Sequence, residues 1–224
     1  MSLQAICTGV AASLLLCTAA AVSADMADAP PALGGSGKVV KLPRQVEAFT
    51  AINDKAGVDL DLRQGSQATV SIEADDNLQP LIRTEVVAGV LVVEANGEWT
   101  SRHHPVLHVT APALRELRIA GNGGGSLNDI SGKELTVTLA GSGSLEGSGQ
   151  LEKLRLRLEG SGEARFRDLE VANVEVQING SGDAEVDADH TIDAVINGSG
   201  NVRYIGRPVH VASRGEGSGR IVQQ

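Results

Sequence analysis

The residues best equipped for chemistry lie in one short stretch, Asn96–Pro105 (NGEWTSRHHP), which holds the only Trp and two of the five histidines. Trp99, Arg102, His103 and His104 are the types that could form a glycan or anionic-ligand patch. An indole offers a broad amphipathic face, and guanidinium and imidazole groups give charge-assisted bonds to oxyanions. His108 comes next in reach, on the outward side of the following strand. The plainer reading is a surface hairpin whose Trp covers one edge of a sheet. A metal site from His104 and His108 lacks a third ligand at a fixed spacing, so neither a metal nor a cofactor is expected.

Two other patterns invite a chemical reading and yield less. Asp183, Glu185, Asp187 and Asp189 alternate along one strand and its exit. That arrangement resembles a calcium row, but a solvated face partly paired to Arg165 and Arg203 explains it more simply. Ser142, Ser161, Ser181, Ser199 and Ser218 repeat too regularly to be nucleophiles. No G-x-S-x-G elbow, P-loop or complete G-x-G-x-x-G accompanies them. They read as a hydrogen-bonded corner ladder, and no catalytic residue is assigned.

What must position these side chains is a repeat. From Leu135 to Gly200 four copies succeed one another: LTVTLAGSGSL, LRLRLEGSGEA, VEVQINGSGDA and IDAVINGSGNV. The first glycine of each triplet falls at Gly141, Gly160, Gly180 and Gly198, with weaker copies at Gly121 and Gly217, spaced 20, 19, 20, 18 and 19 residues apart. Stacked copies of one small unit leave such a period. Within each copy apolar residues alternate with polar ones, as in Leu154, Leu156 and Leu158 around Arg155 and Arg157, which is the period of a strand with one dry face. The triplet glycines (Gly141 and Gly143, Gly160 and Gly162, Gly180 and Gly182, Gly198 and Gly200, Gly217 and Gly219) read as structural corners. About 19 residues is too few for two strands and a crossover helix, which need roughly 30. The sequence therefore predicts an all-β fold: a single-stranded parallel β-helix, or β-solenoid, with rungs of 19–20 residues, expected to be right-handed.

In-register stacking places equivalent residues side by side. One outward column then reads Glu146, Arg165, Glu185, Arg203, alternating in sign as neighbouring rungs favour. An inward column reads Ile119, Leu139, Leu158, Ile178, Ile196, Gly215. Its apolar character fades at the last rung, as expected of a terminal unit. Arg44–Thr110 alternates less regularly, with strand candidates around Val58–Leu62, Val70–Ile72, Leu91–Val93 and Leu107–Val109 and a helical turn within Asp75–Leu81. It reads as the first, less regular rungs of the same solenoid.

The chain has 224 residues and a formal charge of −9. Residues 1–24 carry no charge, are mostly apolar or small, and end in Val22-Ser23-Ala24, the pattern of a cleaved secretory signal peptide. Both cysteines, Cys7 and Cys17, fall inside it, so no disulfide or thiolate chemistry is expected of the exported chain, and no transmembrane span remains after cleavage. Residues 25–43, rich in Ala, Pro and Gly, read as a flexible leader, and residues 44–224 as one domain. An acidic chain with four aromatic residues and no basic patch is a poor nucleic-acid binder.

The opening RQVEAFTAI (Arg44–Ile52), the following VDLDLRQG and VSIEADDNL, the turn before LVVEA, the GSG rungs and YIGRP (Tyr204–Pro208) together resemble the putative auto-transporter adhesin, head GIN domain family. The resemblance spans about Arg44 to Val222 and implies an exported, bacterial, β-helical protein; it brings no catalytic residues. The expectation is a non-enzymatic β-solenoid of the cell envelope, in the periplasm or secreted, presenting a surface to a protein or glycan partner. A structural or sensory periplasmic module acting by protein contacts alone is the alternative. A polysaccharide-cleaving β-helix is disfavoured by the shortage of aromatics and of any convergent acid/base cluster.

Overall fold

Alternation of dry and wet side chains runs through nearly all of residues 32–224, which a computed structural model describes. The expected signal peptide and the start of the expected leader lie outside the described residues. In chain order the strands are β1 (Leu33–Gly34), β2 (Val39–Arg44), β3 (Ala51–Asp54), β4 (Asp59–Gln64), β5 (Thr69–Asp75), β6 (Ile82–Val87), β7 (Val90–Ala95), β8 (Trp99–Thr100) and β9 (Val106–Ala111). They continue with β10 (Glu116–Gly121), β11 (Gly125–Gly141), β12 (Ser144–Gly160), β13 (Glu163–Gly180), β14 (Asp183–Gly198), β15 (Val202–Ile205), β16 (His210–Arg214) and β17 (Ile221–Gln223). A single 3-10 turn, Gln79–Leu81, lies within the stretch expected to hold one. Stacked parallel coils make a β-solenoid of about five turns.

From β11 to β14 each rung is one long strand of 16–18 residues. Between one glycine corner and the next the chain makes a pair of bends within a continuous strand. In β13 the buried residues are Ala164, Phe166, Leu169, Val171, Val174, Val176 and Ile178. The alternation skips a beat at Arg167–Asp168 and again at Ala172–Asn173. Register shifts against the neighbouring strands fall close to both places, as bulges that bend a strand require. Each rung thus has three short faces around a dry core.

The predicted columns are present. Ile119, Leu139, Leu158, Ile178 and Ile196 are in register on successive rungs, and all are buried. Outside, Glu146 pairs with Arg165 (3.1 Å) and Glu185 with Arg203 (3.3 Å). Core volume is shared between rungs. Phe166 fills the space above Gly147, where a Cβ would lie 2.7 Å from the Phe ring.

The two glycines of each corner are required for different reasons. At Gly160 φ is +124°, and a Cβ would lie 2.6 Å from the carbonyl oxygen of Gly141 on the rung before. Both the dihedral and the close approach exclude other residues. At Gly162 only the approach matters, with a Cβ 2.8 Å from Gly143 O. Between them the Ser161 amide donates to Gly141 O at 2.9 Å, and Ser181 to Gly160 O at 2.8 Å. The expected serine ladder is therefore a backbone ladder. The serine side chains are exposed, and Ser218 to Ser199 is a long 3.4 Å contact.

The N-terminal part departs from a simple progression of rungs. β3 pairs in parallel with both β7 and β10, and β4 with both β9 and β11. The first rung, residues 51–64, is therefore sandwiched between residues 90–111 and 116–128. The chain passes it, doubles back, and crosses over at Pro112–Arg115. β5, β6 and β2 close this end as antiparallel strands against β9, β7 and β5. Such a cover leaves fewer open ladder groups to recruit another chain.

Residues 33–43 are not a flexible leader. β1 pairs with β8 and β2 with β5. Between these strands the Gly34–Gly37 strap is fastened by side chains distant in sequence. Asn77 Nδ2 donates to Gly34 O (2.8 Å), the Ser36 amide to Asn77 Oδ1 (2.9 Å), and Ser36 Oγ to Asp76 Oδ1 (2.6 Å). The Ser36 bond holds the Asp76 carboxyl below its usual range. Composition signals mobility here, while long-range hydrogen bonds impose order.

Candidate functional site

The stretch singled out by residue type lies at the doubled-back end. Trp99 forms the start of β8, is in register with Leu33, and packs half-buried against the hydrophobic core. Arg102, His103 and His104 follow on the exposed turn into β9. The turn is shaped by Ser101, whose Oγ accepts from the His103 amide (3.0 Å) and donates to Asp75 Oδ2 (2.5 Å).

The glycine strap and this turn enclose an open groove of about 520 Å³, walled by Gly34–Gly37, Asp75, Thr100, Ser101 and Arg102. Asp75 is almost fully buried (1% exposed), and its Oδ1 has no hydrogen-bond partner among the described residues. Gly35 lets the strap lie directly on this carboxylate, since a Cβ there would overlap Asp75. The groove therefore joins a hydroxyl, a guanidinium and the strap backbone over a buried carboxylate. Those groups suit a hydroxyl-rich ligand.

The histidines divide rather than converge. His104 Nδ1 lies 3.5 Å from Asp59 Oδ2. His108, on the outward side of β9, lies between two acids, with Nδ1 3.0 Å from Asp61 Oδ2 and Nε2 3.1 Å from Glu73 Oε2. Its carboxylates occupy opposite edges of the ring and share no coordination point. No cluster of His, Cys, Asp and Glu among the described residues has a metal-holding arrangement. Asp59, Asp61, Glu73 and Asp75 went unnoticed in the sequence because each is an ordinary outward or end-of-strand acid. Only the stacking of β4, β5 and β9 brings the first three to the histidines, while Asp75 meets Ser101.

Of the two arginines expected to pair with the acidic row of β14, Arg203 does so and Arg165 pairs instead with Glu146 and Glu163. Arg203 lies 3.0 Å from Asp183 and 3.3 Å from Glu185. Partial burial, then the neighbouring Asp189 and Glu170, push the Asp187 carboxyl up.

Stacked rungs with glycine corners, an antiparallel cover at one end and polar grooves along the outside define a β-solenoid module. The chain belongs to the family described as putative auto-transporter adhesin, head GIN domain, whose model matches residues 48–208. Among solved structures it is similar to a putative adhesin from Bacteroides fragilis NCTC 9343 (20% identity, TM-score 0.69, covering 86% of this chain and 100% of that one). It is also similar to a putative lipid binding protein from Parabacteroides distasonis ATCC 8503 (22% identity, TM-score 0.57, covering 86% and 99%). At these identities the likeness shows the fold. No curated protein matches the chain. No helix among the described residues is long and apolar enough to cross a membrane.

Proposed function

We propose that this protein is an exported, non-catalytic binding module of the bacterial cell envelope, and that the groove beside residues 99–104 takes a glycan. The observation that carries the reading is the open groove itself, where the Arg102 guanidinium and the Ser101 hydroxyl stand beside the backbone of the glycine strap. Asp75, buried behind them, fixes Ser101 through its Oδ2. Sugar hydroxyls would bond to Ser101, Arg102 and the strap backbone, with His103 and His104 next along the exposed turn. Trp99 supports the turn from beneath.

Glycan-array binding tests the proposal. The triple variant Arg102→Ala, His103→Ala, His104→Ala should lose binding while melting like the wild type. Trp99→Ala is the poorer probe, because it also removes core contacts. Retained binding in the triple variant would move the site elsewhere. A module acting by protein contacts alone has one observation in its favour: Val209, Val211 and Val222 are exposed at the last rung. Cross-linking in the native envelope that captures proteins through that rung, with an empty glycan array, would favour it.

A further inference from the structure

We infer that a second groove, where the chain crosses over into β10, binds an acidic polysaccharide. This site is independent of the groove at Asp75. It is a hollow of about 420 Å³ between Ala113–Arg115 and Ser131–Glu134, lined also by Thr136 and Arg155. Three cations, Arg115, Lys133 and Arg155, share it with the hydroxyls of Ser131 and Thr136 over a nearly buried Leu114. Arg155 is engaged by Glu134 and Glu175. Arg115 and Lys133 have no acidic partner among the described residues. Unpaired cations gathered in one hollow repel one another, and in a chain of net charge −9 acids to pair them were plentiful. An anionic ligand supplies the missing partners.

The hollow exists because of Gly132. Its position continues the column of Leu151, Val171 and Ala188, which are buried on the later rungs. Nothing in the backbone demands glycine. The φ is ordinary, and a Cβ would meet only Leu151 Cδ2, at 3.9 Å. What the missing side chain gives is open space beside Lys133.

The face beyond the hollow extends the same charge. Arg118 and Arg157 flank Thr138 in one outward column and are likewise without ion pairs. Glu116 lies in register with Thr136 on the neighbouring strand, and Glu152, Glu170 and Asp189 border the far side of Ser131–Lys133. A polyanion is therefore confined to the basic side. None of the exposed large apolar residues, Leu33, Val39, Leu42, Val87, Val209, Val211 and Val222, lines this groove, which argues against a membrane surface. No aromatic side chain is there to stack a base.

Calorimetric titration with polygalacturonate at low salt is the test. Wild-type binding should weaken about tenfold or more in Arg115→Ala/Lys133→Ala, through lost charge-assisted bonds, and in Gly132→Leu, through a filled groove. Arg115→Ala/Lys133→Ala should keep the glycan-array binding expected of the Asp75 groove, whose lining holds neither residue, so failure here and failure there are separable. Unchanged binding in both groove variants, or no wild-type binding, overturns the proposal. So does binding of phosphatidylglycerol vesicles without polygalacturonate, or of free sulfate as tightly as the polymer.

Discussion

Residues 116–205 and residues 33–111 use strands of the same alternating pattern, yet they are assembled differently. In the first region every rung after residues 116–128 rests on the one made just before it. Glycine corners line up, and the inward column stays aliphatic from Ile119 to Ile196. In the second the chain doubles back around its own first rung. That same column then continues into Asp54, buried at 1% exposure between Ile119 and Val93. The Asp54 carboxylate caps the turn into β4, accepting from the Ala56 amide at 2.8 Å. Burial pushes its pKa up to about 6. The regular region is built for stability along its length, whereas the irregular end spends core positions on turns and polar groups.

Four measurements break or sharpen this contrast. The largest effect is expected from Leu156→Asp, which puts a charge into the aliphatic column. It should abolish the cooperative thermal transition seen by circular dichroism, a loss above about 4 kcal/mol; a preserved transition would mean the inward face is misassigned. Next is Asp54→Asn at the irregular end. A carboxyl whose folded-state pKa lies above its unfolded value of 3.8 makes the native state the better proton binder. Stability then falls as pH rises from about 4 through about 6, by up to about 3 kcal/mol. The variant should be more stable than wild type at pH 7 and lose that slope. A slope that persists would assign the titration to another group.

Smaller effects compare corners and surface. Gly160 and Gly89 both have positive φ, +124° and +79°, but nothing lies within 4 Å of a Cβ at Gly89. Gly160→Ala should therefore cost more than Gly89→Ala, by about 1–2 kcal/mol in urea melts. Equal costs would leave corner stacking without weight. Least of all should be Arg165→Ser, which breaks exposed pairs to Glu146 and Glu163 and should scarcely move the melting temperature.

What the sequence made legible follows the same division. Spacing of the triplets and the sign alternation of Glu146, Arg165, Glu185 and Arg203 specify register, because a repeated unit can be compared with itself. Strand positions at Val58–Leu62, Val70–Ile72, Leu91–Val93 and Leu107–Val109 were legible as well. Their order and direction were not, since alternation looks the same in a parallel rung and an antiparallel cover. The Gly34–Gly37 strap was misread because its order comes from Asp76 and Asn77, some forty residues away. For the candidate site, residue type drew attention to Trp99, Arg102, His103 and His104. The groove itself depends on Asp75 and on Gly35, whose only sequence signal is a glycine run that composition assigns to a linker.

The doubled-back path is the claim on which the contrast stands, and a cross-link tests it directly. With Cys7 and Cys17 replaced by Ala, paired cysteines are introduced at the outward positions Asn53, Val92 and Arg118. In the structure Asn53 is in register with both Arg118 and Val92, on opposite sides. Neighbouring parallel strands lie about 4.8 Å apart, within disulfide reach, while two strands apart is not. Mild oxidation should join Asn53→Cys to Arg118→Cys and also to Val92→Cys, and leave Val92→Cys with Arg118→Cys reduced. A disulfide in that last pair, with none between positions 53 and 118, would mean that the rungs follow one another in simple sequence order and would contradict the account.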